Sequence, residues 1–126
     1  MQFVSKFLQA AVTADLNQLR EYAKQVVAGG VVKHVYLIGS TAARGTGQDI
    51  DILYDFGDAG LDRDEATATE QLEQLVESTS IDSDSYDSFY KVDGRFFHLS
   101  CGAGRCIIEN TDYGTEQQGK PMVTLA

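Results

Sequence analysis

The chain has 126 residues and a formal net charge of −9, with only ten lysines and arginines. This length predicts a single domain with a modest core. The acidity argues against stable binding of DNA or RNA, because phosphate contacts need clustered basic side chains, and favours a basic protein or a cationic small molecule. The start is too short and too polar for a signal sequence, and no apolar run approaches the ~20 residues of a membrane span. We therefore expect a cytoplasmic protein without membrane contact.

The first thirty residues predict two helices. Residues 4–12 can form a short one, and Asp15 or Thr13 can cap a second whose apolar residues recur at helical spacing until Gly29-Gly30 ends it. We divide the chain into N-terminal helices (1–30), a core (31–109) and a tail (110–126), whose apolar residues 122–125 could dock on the domain or on a partner.

Two strands are predicted next, at residues 32–38 and 49–54. In an extended strand the side chains of residues i and i+2 share a face, so Asp49 and Asp51 are expected to project together while Ile50 and Ile52 point into the core. Two neighbouring carboxylates repel each other unless a cation lies between them. Hard oxygen ligands suit Mg²⁺, which keeps water and substrate phosphates in its remaining positions.

The segment between these strands predicts a phosphate site. Gly39 and Ser40 end the first strand where a short helical turn can begin, and exposed N–H groups with a nearby hydroxyl bind phosphate well. Arg44 adds a positive charge. The plainer interpretation is an ordinary turn followed by a solvated edge strand, but the two features occur together on consecutive predicted strands.

The second half predicts a helix and three strands. Residues 55–64 are typical of a loop, and apolar spacing favours a helix from residue 63 or 64 to 77, with its acids on a solvated face. Strands at 86–92 and 95–101 flank Asp93-Gly94, a strong hairpin signal, and a turn at 102–104 leads to a strand at 105–109. The resulting order predicts an α+β fold, a mixed sheet with helices packed on one face.

A two-residue turn at Asp93-Gly94 sets the register of the first hairpin. Counting outward pairs Phe89 with His98 and places Asp87, Phe89 and His98 on one face. We place Cys106 on that face too, across the next hairpin, and Cys101 on the opposite one. The two cysteines are thus expected to be small core residues without a disulfide.

Gly39-Ser40, Arg44-Gly45 and Asp49-Ile50-Asp51 together resemble the signature of the DNA polymerase β-like nucleotidyltransferase superfamily, in its minimal branch. The resemblance covers the middle half of the chain, and the segment from Ser40 to Asp49 is shorter than is usual there. It implies that Gly39, Ser40 and Arg44 bind the phosphates of a nucleoside triphosphate, with ATP the expected donor. Asp49, Asp51 and a third acid would bind two Mg²⁺ ions.

The third acid is open among Asp82, Asp84 and Asp87, and we favour Asp87 because it begins a predicted strand. His98 could orient an acceptor hydroxyl, accept its proton or only pack. The resemblance implies transfer of a nucleoside monophosphate to a protein or small-molecule hydroxyl. Alternatives are an antitoxin-type module that masks or adenylylates a helical toxin partner, and a degenerate domain that binds nucleotide without turnover.

Overall fold

A computed structural model describes residues 12–47, 49–82, 86–102, 104–112 and 120–126. The elements in chain order are β1 (Val12–Thr13), α1 (Leu16–Ala28), β2 (His34–Ile38), α2 (Gly39–Arg44), β3 (Thr46–Gly47), β4 (Asp51–Gly57), α3 (Glu65–Ser78), β5 (Asp87–Val92), β6 (Arg95–Gly102), β7 (Arg105–Asn110) and β8 (Val123–Thr124). The predicted first helix, residues 4–12, lies outside the described residues except for Val12, which begins β1.

Six of these strands form one mixed sheet in the order β7-β6-β5-β4-β2-β8, and β1 pairs with β3 separately. Only the β4–β5 pair is parallel within the described sheet. Its connection contains α3, as a parallel pair requires a long crossover. The protein is therefore a mixed α and β structure, in agreement with the predicted class.

Both long helices begin at aspartate caps. The Asp15 carboxylate accepts a hydrogen bond from the Gln18 backbone N–H at 3.2 Å, and the Asp64 carboxylate accepts one from the Thr67 backbone N–H at 3.1 Å. Each carboxylate thus pairs with a backbone N–H that has no acceptor within the helix. The predicted cap of α1 and its stop at Gly29 are confirmed.

The two faces of the sheet are covered differently. The buried helix residues Leu19 and Leu72 belong to the main core with Leu37, Ile52 and Tyr54 of the sheet. The opposite face carries a smaller cluster of three buried residues, and among the described residues no helix contributes to it; its members are Ile38, Leu53 and Phe89. Helix packing on one face is thus confirmed for the part of the chain that the structure describes, and we call the other side the open face.

The strand bounds differ from prediction at β4. The strand begins at Asp51 rather than at residue 49, and it continues to Gly57. The Asp49 carbonyl accepts a hydrogen bond from the Thr41 hydroxyl at 2.6 Å, so this part of the backbone is tied to α2 instead of to the sheet. The expectation that Asp49 and Asp51 project from the same strand is therefore wrong.

The C-terminal residues also belong to the sheet. Thr124 pairs with Tyr36 and Val123 with Leu37, which makes β8 the strand at one end of the sheet. Leu125 is only 5% exposed and lies in the main core. We expected the apolar end of the tail to dock either on the domain or on a partner, and in the structure it docks on the domain.

The first predicted hairpin register is confirmed. Phe89 pairs with His98 and Val92 with Arg95, so Asp93 and Gly94 are the two turn residues. Both have positive φ angles, 51° and 74°, the conformation that Asp and Gly supply in such turns. The Asp93 carboxylate reaches across to the loop after β4, where it accepts the backbone N–H groups of Ala59, Gly60 and Leu61 at 2.9, 3.3 and 2.6 Å.

The second hairpin differs from prediction by one residue. Gly102 pairs with Arg105 and Cys101 with Cys106, so Cys106 lies on the face opposite to that of His98. A shift of one residue reverses the face of every side chain in a strand. Cys106 is disulfide-bonded and exposed, and the expectation of an unpaired core cysteine is wrong.

Among the described helices, none is long and apolar enough to cross a membrane.

We expect Asp93→Asn to destabilise the fold at neutral pH. The backbone donors, that of Leu61 above all, hold the pKa of Asp93 below its usual range. A lowered folded-state pKa gives stability that is present above the unfolded pKa, near 4, and is lost as the pH falls through the folded-state pKa. Because the carboxylate is partly exposed, we expect a loss of about 1 kcal/mol at pH 7.

Urea melts at pH 7 and pH 3 measure this effect. The matched control is Asp58→Asn, which changes an exposed aspartate in the loop that Asp93 holds. Equal destabilisation by Asp93→Asn at both pH values would contradict a role for the ionised carboxylate.

Candidate functional site

Three strand ends meet at one place in the sheet. Ile38, the last residue of β2, pairs with Asp51, the first residue of the antiparallel β4. Asp51 in turn pairs with Asp87, the first residue of the parallel β5. The end of β2 and the starts of β4 and β5 therefore lie side by side. The turn at Gly39 and Ser40 follows directly after β2.

Asp51 and Asp87 form a close carboxylate pair. Residues that pair across adjacent strands project to the same face, here the open one, and the Asp87 backbone N–H donates to the Ile50 carbonyl at 3.0 Å. Partial burial, followed by the negative charges of Asp87 and Asp49, raises the pKa of Asp51 to about 6. The pair is thus strained when both carboxylates are ionised, which is the condition that a bound cation relieves.

His98 completes this group from β6. One oxygen of the Asp87 carboxylate lies 2.6 Å from His98 Nε2, a hydrogen-bond distance. The imidazole also stacks on the Phe89 ring, with 4.5 Å between ring centroids and 16° between the planes. Contacts on two sides orient His98. Its place on the same face as Asp87 and Phe89 is the one that the hairpin register predicted.

Gly39 and Ser40 begin α2 next to the carboxylate pair. Gly39 has a φ angle of 75°, in the left-handed region where a side chain would be strained, and this conformation turns the chain sharply from β2 into the helix. Ser40 is exposed. Arg44 is exposed at the other end of α2, and no described carboxylate forms an ion pair with it. The structure therefore brings Gly39 and Ser40, but not Arg44, to the start of the helix.

Asp49 lies in the bend before β4 and is exposed. Its position depends on Thr41, which is only 1% exposed and whose hydroxyl holds the Asp49 carbonyl. Gly47 packs so closely on this turn that an added Cβ would lie 2.7 Å from the Thr41 hydroxyl oxygen. Sequence reasoning missed Thr41 and Gly47. The signal in the sequence was Gly47 itself, the second glycine after Arg44, since a glycine often marks a place where the backbone closely approaches another group.

Of the other two candidates for a third acid, Asp82 lies away from the carboxylate pair. The Asp82 backbone N–H donates to the Tyr22 hydroxyl at 2.8 Å, and that hydroxyl also lies 2.7 Å from the hydroxyl of the buried Tyr54. Asp82 is therefore held against α1. Asp84 lies outside the described residues.

The carboxylate pair fits a divalent cation in its chemistry. Asp51 and Asp87 supply hard oxygen donors, and Asp49 is a further carboxylate whose charge reaches Asp51. Within the described ranges, however, no three His, Cys, Asp or Glu side chains are arranged as a complete metal centre. The geometry is that of two adjacent carboxylates with a third on the neighbouring bend.

No protein-family model, curated protein or solved structure matches this chain. The sequence motif and the geometry of these side chains therefore carry the proposed function.

We expect Asp51→Asn to stabilise the metal-free protein at pH 7.5 and to have little effect at pH 4. A folded-state pKa that is raised from 3.8 to about 6 destabilises the fold when the group is ionised, so stability falls as the pH rises through that interval. Because Asp51 is partly exposed, the expected gain at pH 7.5 is about 1 kcal/mol.

Thermal melts in chelator at the two pH values test this expectation. Asp49→Asn is the matched control, because Asp49 is exposed and its substitution should change stability less. A loss of stability in Asp51→Asn at pH 7.5 would show that the Asp51 carboxylate is a structural acceptor and not a strained charge.

Proposed function

We propose that the protein is a Mg²⁺-dependent nucleotidyltransferase that transfers a nucleoside monophosphate, with ATP as the expected donor, to a hydroxyl of a protein or small molecule. The observation that carries the proposal is the pairing of Asp51 with Asp87 on adjacent parallel strands. Partial burial and the neighbouring negative charges raise the pKa of Asp51 to about 6, and a cation bound between Asp51 and Asp87 would relieve this repulsion.

The placement of the Gly39-Ser40 turn beside this pair agrees with the proposal. The backbone N–H groups and the Ser40 hydroxyl at the start of α2 would bind the outer phosphates of the nucleotide. Arg44 lies at the far end of the helix, so its long side chain would have to reach back along α2 to contact a phosphate. We therefore assign Gly39 and Ser40 the larger part in phosphate binding.

Asp51 and Asp87 would bind Mg²⁺, with Asp49 as the additional carboxylate. When bound, the metal would neutralise the negative charge that gathers on the phosphates during transfer. In the reaction, the acceptor oxygen forms a bond to the α-phosphorus, the bond to the bridging oxygen breaks, and pyrophosphate leaves with that electron pair. The acceptor proton passes to Asp87 or to water.

The acceptor would approach across the open face, where His98 lies. His98 is held by Asp87 and by Phe89, so its exposed edge can donate a hydrogen bond to an acceptor or accept one from it. The net charge of −9 favours a basic acceptor protein, including a toxin-like partner. A module that only masks such a partner would keep the binding surface but would not release pyrophosphate.

We expect Asp51→Asn and Asp87→Asn each to reduce pyrophosphate release from ATP and Mg²⁺ by at least ~100-fold, the scale of loss of a metal ligand or general base. Asp82→Asn is the matched control and should retain turnover, because Asp82 lies against Tyr22. Candidate acceptor proteins and small molecules would be screened with labelled ATP. Normal turnover by Asp51→Asn would refute the assignment.

Nucleotide binding gives a test that needs no acceptor. We expect ATP to raise the melting temperature only when Mg²⁺ is present, because the phosphates would otherwise meet Asp49, Asp51 and Asp87 without a neutralising charge. Ser40→Ala should weaken this shift, and Thr69→Ala, which removes an exposed hydroxyl from α3, should not. Equal stabilisation by ATP in excess chelator would count against the proposed site.

A further inference from the structure

The helix-covered face of the sheet has a groove where α3 runs beside β6 and β7. Leu99 of β6 pairs with Ile108 of β7, and the two side chains line the groove together with Val76 of α3. The groove has a volume of about 210 Å³ and opens to solvent. It can therefore accept a large aliphatic side chain from outside.

The apolar lining of this groove continues the main core. Ile108 is buried in that core, and Val76 and Leu99 pack against it while they remain partly exposed. Apolar surface in contact with water is unfavourable, and a further apolar side chain placed over the groove would remove it from water. In many protein interfaces, one anchor side chain that fills such a pocket contributes much of the binding energy.

Two glutamates border the groove on the side of α3. Glu73 and Glu77 are exposed and lie one helical turn apart. The sequence of α3 has no lysine or arginine, and no described residue forms an ion pair with either glutamate. The groove thus combines an apolar lining with a negative rim that no described cation compensates.

The two glutamates are unfavourable for α3 itself. Like charges four residues apart on a helix repel each other, and Glu77 lies in the last turn, where the helix dipole favours a cation over an acid. Positions that break such a local rule are expected where a residue has another role. A pair of cations supplied from outside would remove both penalties.

We propose that this groove binds a basic amphipathic helix of a partner protein. One apolar side chain of that helix fills the groove, and two lysines or arginines beside it, four residues apart, pair with Glu73 and Glu77. The spacing of the two glutamates along α3 selects this partner, because a second helix repeats the same spacing. The net charge of −9 attracts a basic partner over a longer range.

The groove lies on the opposite face of the sheet from the carboxylate pair. Successive residues of a strand face opposite sides, so Leu99 lies toward α3 while His98 lies on the open face beside Asp87. A helix docked in the groove leaves the carboxylate pair uncovered. The inference therefore does not depend on nucleotidyl transfer.

Fluorescence anisotropy with labelled helical peptides and the full chain tests the proposal. The basic peptide carries leucines and lysines at helical spacing. Serine replaces each leucine in a second peptide, and glutamate replaces each lysine in a third. We expect the second and third peptides to bind at least ~10-fold more weakly than the first, because one lacks the apolar anchor and the other lacks the positive charge.

A double variant of the rim tests the place of binding. Glu73→Gln with Glu77→Gln should weaken binding of the basic peptide at least ~5-fold, and it should raise the melting temperature by about 1 to 2 °C because the repulsion within α3 is lost. The matched control is Asp58→Asn with Glu65→Gln, which removes the same charge from exposed positions outside the groove. This control should bind the basic peptide nearly as well as the wild type does.

Backbone amide resonances locate the bound peptide. We expect the largest shifts on addition of the basic peptide at Val76, Leu99 and Ile108, and small ones at Asp51 and Asp87. Four results would each overturn the proposal: no binding at up to about 1 mM basic peptide, equal binding of the serine peptide, equal loss in the two double variants, or shifts centred on the carboxylate pair. Equal binding of the serine peptide would mean that charge alone is recognised.

Discussion

The parallel register of β4 and β5 is the constraint on which the proposed site depends. It sets Asp51 beside Asp87 at the start of both strands, and it does so at the point where β2 ends and the Gly39 turn begins. Ionised together, the two carboxylates work against the fold, because burial and repulsion raise the pKa of Asp51 to about 6. Strain of this kind is typical of functional sites, where a bound ligand compensates for it.

The two faces of the sheet have different roles in the domain. The helix-covered side holds the main core, in which Leu19 of α1 and Leu72 of α3 pack on the sheet. The open face holds the carboxylate pair, with His98 stacked on Phe89 beside it. Because side chains alternate along each strand, the same strands both build the core and position the site.

The β5–β6 hairpin connects these features. Its turn residue Asp93 holds the loop after β4 through three backbone N–H groups, and its strands carry Asp87 and His98 at the other end. Asp93 thus connects the end of β5 to the loop that follows β4. Beyond β6, the strand β7 repeats the antiparallel pattern and is the last strand of the described sheet on that side.

Local chemistry in the sequence determined the capped helices, the Asp93-Gly94 turn and, through that turn, the common face of Asp87, Phe89 and His98. These features depend on neighbouring residues, and the turn geometry limits the register. Tertiary structure alone decided the pairing of Asp51 with Asp87, because the crossover through α3 separates them and no local pattern sets its register. It also decided that Thr41 holds Asp49 off the strand, that β8 joins β2, and that Cys106 lies opposite Cys101. In the last case the turn between 102 and 105 is shorter by one residue than expected, and in a strand one residue reverses every face.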